Sequence, residues 1–343
     1  MFKTALIALL VVSAIAVEID TSVFLDRDPT EIEMRQLYNQ FLKIAFLPVE
    51  DTPARYAYFT KEVMEIINHN RDSTKTWTRE VNQFTGFTLE ELTGHAIMTP
   101  QNCSATNEDA ISAYPDFNIG ITEFDWRLKG IVSPVKNQGK CGSCWTFSTT
   151  GALESHWALH TNSAPLNLSE QQLIDCAGDF NNHGCNGGLP SQAFEYIRYN
   201  DGIDSEDAYP YLGVDSTCKF NKSAVAAKVY FGSYNISQGD ETALTQQLVL
   251  RGPVSIAFQV TKDFTSYKSG VYTSTECGSG PADVNHAVLA VGFGYDPSTK
   301  LNYWIVKNSW GESWGNKGYF WIQKGVNMCG VATCASFPNL IGI

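Results

Sequence analysis

The 343-residue sequence predicts an α+β protein with two packed halves, preceded by a helical leader. Helical periodicity dominates residues 30–70, and two further helical patterns follow in the middle of the chain. Apolar runs of strand character begin only at Val254. Helices first and strands later along one chain are typical of the α+β class.

The first 16 residues have the pattern of a secretory signal peptide. Lys3 gives a basic start, residues 5–12 are apolar, and Ala14-Ile15-Ala16 fits a small-x-small cleavage site. The alternative is a buried N-terminal helix, which the flanking residues do not favour. No later stretch is long and apolar enough to cross a bilayer. We therefore expect no membrane span and a protein of the secretory pathway, lysosomal or secreted.

Two helical patterns fill the leader. In the first, residues 30–46, Thr30 and Glu33 have capping-box spacing. Its apolar face comprises Met34, Leu37, Tyr38, Phe41 and Ala45. The second pattern places six residues on one stripe: Asp51, Arg55, Phe59, Glu62, Ile66 and Asn70. A stripe of mixed polarity predicts a helix that docks against another part of the protein.

The middle and end of the chain supply the two halves. Residues 144–160 predict a buried helix with Trp145, Ala152, Leu153 and Leu159 in the core, and Ser169 begins another helix. Strands are predicted within residues 254–260, 286–294, 302–310 and 318–323.

The charge balance excludes one class of partner. The net charge is −12, and a protein this acidic is not expected to present a broad nucleic-acid-binding surface.

The chain holds nine cysteines, an odd number, so at least one lacks a partner within the chain. Cys141 and Cys144 form a C-x-x-C pair, which suits zinc, redox or nucleophile chemistry. A zinc site lacks its second ligand pair, and a redox pair lacks a thioredoxin-like βαβ context. A nucleophile needs a helix N-terminus and a histidine. Cys144 opens a predicted helix, and His286 and Asn308 follow far downstream, so we expect a nucleophile without metal or cofactor.

The motifs CGSCW, NHAV and KNSWG resemble those of the papain-type cysteine peptidases. This resemblance implies a papain-like fold of two subdomains, a helical half and a β-barrel-like half, with the active-site cleft between them. It also implies a helical inhibitory propeptide at residues 17–119, here called the leader, and a catalytic chain at residues 120–343. The expected partners are peptide and protein substrates and the chain's own leader, with cystatin-type inhibitors as candidates, and the protein is expected to be a monomer.

The resemblance also assigns roles to residues. It makes Cys144 the nucleophile, His286 its proton-carrying partner, Asn308 the residue that orients the imidazole, and Gln138 an oxyanion donor. The residues implied in substrate binding are Gly187, Gly188, Pro190, Ala257, Asn285, Ala287, Trp310 and Thr106.

By the same resemblance three disulfides are expected: Cys141–Cys185, Cys176–Cys218 and Cys277–Cys329. Cys103 and Cys334 remain. In the cathepsin H-type branch of the family, an eight-residue piece of the propeptide stays attached through a disulfide, and TPQNCSAT at residues 99–106 resembles it. This implies an aminopeptidase with some endopeptidase activity, in which the Thr106 carboxylate meets the substrate ammonium.

Three alternatives stay open. A cathepsin L-like endopeptidase would lose residues 99–106, an inactive propeptide-bearing binding protein would not react at Cys144, and a redox protein would need a reversible Cys141–Cys144 disulfide. Residues that depart from the family pattern are Asp51, Glu62 and Gly86 in the leader. The stretch that begins at Gly120 departs as well and leaves the maturation site within about residues 115–121. Candidate glycosylation sequons start at Asn102, Asn167, Asn221 and Asn235.

Overall fold

The computed structural model describes residues 19–103, 110–114 and 119–340. The predicted signal peptide and Thr106 lie outside the described residues. Within these ranges, no helix combines the length and hydropathy that a bilayer crossing requires.

Two long helices form the body of the leader, α1 (Glu31–Ile44) and α2 (Pro53–Arg71), followed by the short α3 (Leu89–Leu92). The predicted capping box between Thr30 and Glu33 is confirmed. The placement of Asp51 on the helical stripe is wrong. Thr52 caps α2 by accepting from the Arg55 N–H, and the fixed backbone of Pro53 suits the first helical position, so Asp51 precedes the helix.

The helical half of the catalytic chain contains α4 (Cys144–Thr161), α5 (Glu170–Cys176) and α6 (Pro190–Tyr199), and α7 (Glu241–Arg251) lies against the sheet. The predicted helix α4 is buried along most of its length. Leu159 is the exception: it lies in the last turn and is 36% exposed, so its assignment to the core is wrong.

A nine-stranded sheet forms the other half. Its strands are β1 (Trp77–Arg79), β2 (Phe124–Asp125), β5 (Ser233–Asn235), β6 (Val254–Phe258), β7 (Tyr267–Tyr272), β8 (His286–Asp296), β9 (Leu301–Lys307), β10 (Tyr319–Gln323) and β11 (Ser336–Pro338). They lie in the order β1-β7-β10-β9-β8-β6-β11-β5, with β2 beside β8. Strands β3 (Ile203–Asp204) and β4 (Val225–Ala227) pair separately. The predicted α+β class is confirmed.

The leader contributes a strand to this sheet. β1 pairs antiparallel with β7, with Trp77 opposite Gly270. Gly270 has φ +88°, and a Cβ there would lie 2.5 Å from the Thr76 carbonyl oxygen, so glycine permits this close approach. The Trp77 ring packs against Tyr272 at 4.7 Å between centroids. The leader is thus bound through both backbone pairing and aromatic packing.

Candidate active site

Cys144 is the first residue of α4 and is completely buried. The first N–H groups of an 18-residue helix have no partner within the helix, and the helix dipole favours negative charge at this end. The Sγ atom accepts a hydrogen bond from the Ala287 N–H at 3.4 Å. Because Ala287 follows His286 in the chain, the start of β8 is brought to the thiol. Of the nine cysteines, all within the described residues, Cys144 is the free one.

His286 begins β8, and Asn308 directly follows the neighbouring strand β9. The His286 Nε2 lies 2.7 Å from the Asn308 Oδ1, so the amide oxygen fixes the ring orientation. Trp310 stacks on the imidazole at 4.7 Å between ring centroids and covers this hydrogen bond. The His286 Nδ1 is buried without a hydrogen-bond partner in the described part of the chain. The imidazole is thus held through Nε2, and its Nδ1 is available to exchange a proton.

Burial favours the neutral form of both Cys144 and His286 in this form of the protein. Burial raises the pKa of the Cys144 thiol to about 11, although the backbone N–H groups around the sulfur oppose the shift. Burial also lowers the pKa of His286 to about 4, against the effect of its hydrogen bond to Asn308. Desolvation penalises the charged form of each group, so burial disfavours the thiolate–imidazolium pair while the site is covered.

Gln138 is held at the site from both ends of its amide. The Oε1 accepts from the Ser309 hydroxyl at 2.7 Å, and the Nε2 donates to the Cys141 carbonyl at 2.9 Å. The Nε2 also donates to the carbonyl oxygen of His95, a leader residue, at 3.2 Å. A leader carbonyl therefore occupies an amide donor that can stabilise a developing oxyanion.

The leader enters the cleft through a turn at residues 94–96 and continues through residues 98–102 without regular secondary structure. The Ala96 carbonyl accepts from the Trp310 indole N–H at 2.9 Å. The Met98 N–H donates to the Asn285 carbonyl at 3.0 Å, and the Gln101 N–H donates to the Val284 carbonyl at 3.3 Å. Met98 is fully buried. This segment fills the space that a peptide substrate needs.

Ion pairs hold the leader to the catalytic chain and stiffen the leader itself: Glu62–Lys262 and Glu80–Lys268 join the two parts, and Arg55–Glu91 lies within the leader. Glu62, which stands where the family usually has Asn, pairs with Lys262 of the catalytic chain at 2.7 Å and accepts from the Gly86 N–H at 2.7 Å. Arg55 pairs with Glu91 at 2.5 Å and also donates to the Gly86 carbonyl. Glu91 therefore supplies a carboxylate to Arg55, next to the position where the family's usual aspartate is replaced by Gly86.

The other residues expected at the substrate site have distinct surroundings. Gly187 (φ +122°) lies against Met98 and Gln101 of the leader, where a Cβ would come within 2.8 Å of the Gln101 amide nitrogen. Gly188 packs instead on Trp145. Three residues are buried in the walls: Pro190 at the start of α6, Ala257 in β6, and Ala287 directly opposite Ala257 in β8. The Asn285 side chain is turned to Val260, which its amide contacts twice.

Four disulfides join the expected pairs: Cys103–Cys334, Cys141–Cys185, Cys176–Cys218 and Cys277–Cys329. The first fastens the leader beside a small cavity lined by Pro190 and Asn235. Among the sequon asparagines, Asn102, Asn167 and Asn221 are exposed, whereas Asn235 is half-buried in β5.

Sequence reasoning missed a charged cluster beneath the site. The Lys136 ammonium pairs with Glu154 at 2.8 Å and with Glu170 at 2.7 Å, and both carboxylates are buried. Burial opposes the charge on Lys136, but the two carboxylates raise its pKa overall. Lys307, next to Asn308, has its pKa lowered to about 8 by burial. These residues are far apart in sequence, so no local motif indicates the cluster.

Within the described residues, no group of three or more His, Cys, Asp or Glu side chains is placed to hold a metal ion.

Comparisons with known proteins agree with this geometry. Residues 121–339 match the model of the papain family cysteine protease. Cysteine proteinase 3 of Solanum lycopersicum is 53% identical over 291 residues, covering 84% of this chain and 80% of the relative. Pro-cathepsin H of Bos taurus is 53% identical over 289 residues, covering 83% of each.

Solved precursor structures are also similar. The digestive procathepsin L2 proteinase of Tenebrio molitor larval midgut aligns with a TM-score of 0.79 and 38% identity over 90% of this chain and 100% of that chain. The ragweed cysteine protease Amb a 11 in its proform aligns with a TM-score of 0.78 and 32% identity, covering 92% of this chain and 97% of that chain. The family match and these relatives show that the chain belongs to the papain family of cysteine proteases and is a zymogen with its leader in place.

Proposed function

We propose that the matured protein hydrolyses peptide bonds mainly as an aminopeptidase, with some endopeptidase activity. The observation that carries this proposal is the Cys103–Cys334 disulfide, which fastens leader residues at one end of the cleft. A covalently held piece there leaves room for little more than the first residue of a substrate. The relatives named pro-cathepsin H support the same reading.

In the proposed reaction, removal of the leader returns water to the site and permits the Cys144 thiolate and the His286 imidazolium. The thiolate attacks the substrate carbonyl carbon, and the negative oxygen is stabilised by the Gln138 amide and the Cys144 backbone N–H. His286 gives its proton to the leaving amine, and the C–N bond breaks. Water then attacks the acyl-enzyme, His286 takes its proton, and the thiolate leaves. Asn308 holds the imidazole throughout.

Specificity for N-termini is assigned to residues 99–106. Their Thr106 carboxylate, formed by cleavage, would pair with the α-ammonium of the substrate. We also propose the signal peptide 1–16, the leader 17–119, the catalytic chain 120–343 and transit through the secretory pathway to the lysosome or the exterior. The exposed sequons at Asn102, Asn167 and Asn221 are the proposed glycosylation sites.

The test compares the acid-matured enzyme with a Cys103→Ser/Cys334→Ser double variant. Non-reducing peptide mapping of the enzyme should give a linked Cys103–Cys334 peptide that ends at Thr106. The double variant should lose at least tenfold in kcat/KM on substrates with a free N-terminus and gain on N-acetylated substrates. An unlinked Cys334, or equal activity of both proteins on both substrates, would replace the proposal by a cathepsin L-like endopeptidase. The similarity to the Tenebrio molitor procathepsin L2 structure favours that second candidate.

A further inference from the structure

The junction between the leader and the catalytic chain binds outside the cleft. Residues 110–114, with the sequence AISAY, meet the chain at the end of β5, where Ile111 lies beside Ile236, the residue that follows the strand; the other side of β5 pairs with β11. The Ile111 N–H donates to the Asn235 carbonyl at 2.8 Å, and the Ser237 N–H donates to the Ile111 carbonyl at 2.9 Å. The two bonds form a parallel bridge, which is how an extended peptide adds a strand to a sheet.

The start of α7 continues this binding surface. The Ala113 N–H donates to the Asp240 Oδ2 at 3.0 Å, while the Oδ1 of the same side chain caps α7 through the Ala243 N–H. The Gln246 amide makes two bonds to the Tyr114 backbone, accepting from its N–H at 2.7 Å and donating to its carbonyl at 3.2 Å. Each of these hydrogen bonds is made to a backbone N–H or carbonyl group of residues 111–114, so the surface recognises an extended chain.

Side chains add a composition preference. Ile111 and Ala113 pack against the hydrophobic core, and the Ser112 hydroxyl meets the Ser237 hydroxyl at 2.8 Å. Residues 110–114 carry no charged side chain, and Tyr114 remains 44% exposed. The preferred segment is therefore uncharged, with a branched apolar residue, two small residues and an aromatic residue in order.

We propose that residues 235–237 at the end of β5 and the first turns of α7 form a peptide-docking site separate from the cleft. The chain's own residues 111–114 occupy it in the zymogen. Once the junction has been excised, as the proposed maturation requires, the site binds an extended segment of this composition in a protein substrate. The enzyme would then hold such a protein at one point while the cleft acts at another.

The test uses two full-length precursors that carry Cys144→Ser, so that binding is measured without catalysis. One keeps the native junction, and the other carries Ile111→Ser and Ala113→Pro to vacate the site. A fluorescein-labelled peptide EDAISAYPD should bind saturably to the vacated precursor and at least tenfold more weakly to the native one. Equal binding to both, or none to either, would overturn the proposal and leave the proposed catalysis untouched.

Backbone recognition is tested with matched controls. N-methylation of the peptide at Ala113 removes the donor to Asp240 and should weaken binding at least tenfold, whereas N-methylation at Ser112 should change it little. Asp240→Asn keeps the α7 cap but replaces the second acceptor by a donor, and should have the same effect as the Ala113 methyl group.

If the vacated precursor does not fold, hydrogen exchange at the backbone amides of the native-junction precursor tests the site instead. Asp240→Asn in the native-junction precursor should then speed exchange at Ala113 and Tyr114 by at least tenfold. Unchanged exchange at both amides would count against the site.

Discussion

Single residues show how the covered site is kept inactive. Burial favours the neutral forms of Cys144 and His286, raising one pKa to about 11 and lowering the other to about 4. We therefore expect the leader to inhibit the enzyme electrostatically as well as sterically, because it fills the cleft and buries the two groups whose charged forms the proposed reaction needs.

This electrostatic state predicts the reactivity of the thiol. In the precursor, alkylation of Cys144 by iodoacetamide should stay slow from pH 5 to 9, because the thiolate is scarce below its raised pKa. Leader removal should lower the thiol pKa and raise the His286 pKa, so the matured enzyme should react at least a hundredfold faster at pH 6. Label should be located by peptide mapping, with Cys144→Ser as the blank. A common pH profile for both forms would contradict the argument.

Gln138 gives a second prediction at this scale. Gln138→Ala in the matured enzyme should lower kcat by about 10²–10³-fold with little change in KM, because in the proposed reaction the amide stabilises the oxyanion of the transition state. Gln138→Glu keeps the acceptor for the Ser309 hydroxyl but places negative charge at the oxyanion, and should be no better. A rise in KM at constant kcat would instead assign Gln138 to substrate binding.

Motif residues could be predicted from sequence because their chemistry restricts their spacing and neighbours. The sequence predicts that Cys144, His286, Asn308 and Gln138 act together, and the structure brings them to one place, with Gln138 bonded to Ser309, the residue after Asn308. The leader residues in the cleft, such as Ala96, gave no such signal. They bind through backbone atoms, which any side chain can accompany.

At the scale of elements, helix α2 attaches the leader to the catalytic chain. Its buried Glu62 reaches Lys262, whose pKa is lowered by burial even though Glu62 opposes the shift. Removing one member of a buried pair costs more than the pair itself contributes, because the other charge is left without its partner.

Glu62→Gln should therefore weaken the attachment of the leader to the catalytic chain in the precursor. The amide still accepts from the Gly86 N–H, but Lys262 loses its counter-charge. Self-processing at pH 6 should be about tenfold faster, measured by gel densitometry. The control is Glu65→Gln on the exposed face of the same helix, which should process at the native rate. Equal rates for all three proteins would show that the ion pair does not hold the leader.

The turn at Gly86 gives a counterintuitive prediction. Restoring the family's usual aspartate by Gly86→Asp should destabilise the precursor by about 1–2 kcal/mol, because the residue has φ +89° and a Cβ would lie 3.1 Å from the Phe41 ring. Urea unfolding should show the loss. Gly86→Ala should lose a similar amount, since the strain belongs to the backbone. A more stable Gly86→Asp protein would mean that the Arg55–Glu91 pair is a poor substitute.

Elements with strong internal periodicity were predictable, whereas short paired ones were not. α1 has a capping box and a long apolar face, α4 is buried along most of its length, and both begin where expected. β1 is three residues long, and its partner β7 lies almost two hundred residues away, so its existence depends on tertiary pairing. The error at Leu159 also reflects tertiary structure: the apolar pattern of α4 continues into its last turn, where Leu159 is left partly exposed.

At the scale of the molecule, two buried histidines make the precursor sensitive to acid. Burial lowers the pKa of both His156 and His286 to about 4, so the folded state resists protonation that the unfolded chain accepts below about pH 6.5. Each stabilisation is present above pH 6.5 and is lost as the pH falls toward 4.

The expected loss is on the order of 2 kcal/mol per histidine between pH 6.5 and 4.5, measured by urea unfolding. His156→Gln can keep a donor to the Pro253 carbonyl but cannot titrate, so its stability should fall less steeply with acid. If the free energy of unfolding falls equally steeply with acid in both proteins, His156 does not contribute to the acid sensitivity.

The two ends of the sheet carry a consequence for colloidal behaviour. In the zymogen, β1 covers the edge of β7 and Ile111 pairs with Ile236 at the end of β5, so leader segments that maturation is proposed to remove contact the sheet at both ends of its strand order. Uncovered strand edges are templates for aggregation. The leader should thus protect the precursor from aggregation, and light scattering at equal concentration should rise sooner for the matured enzyme than for its precursor.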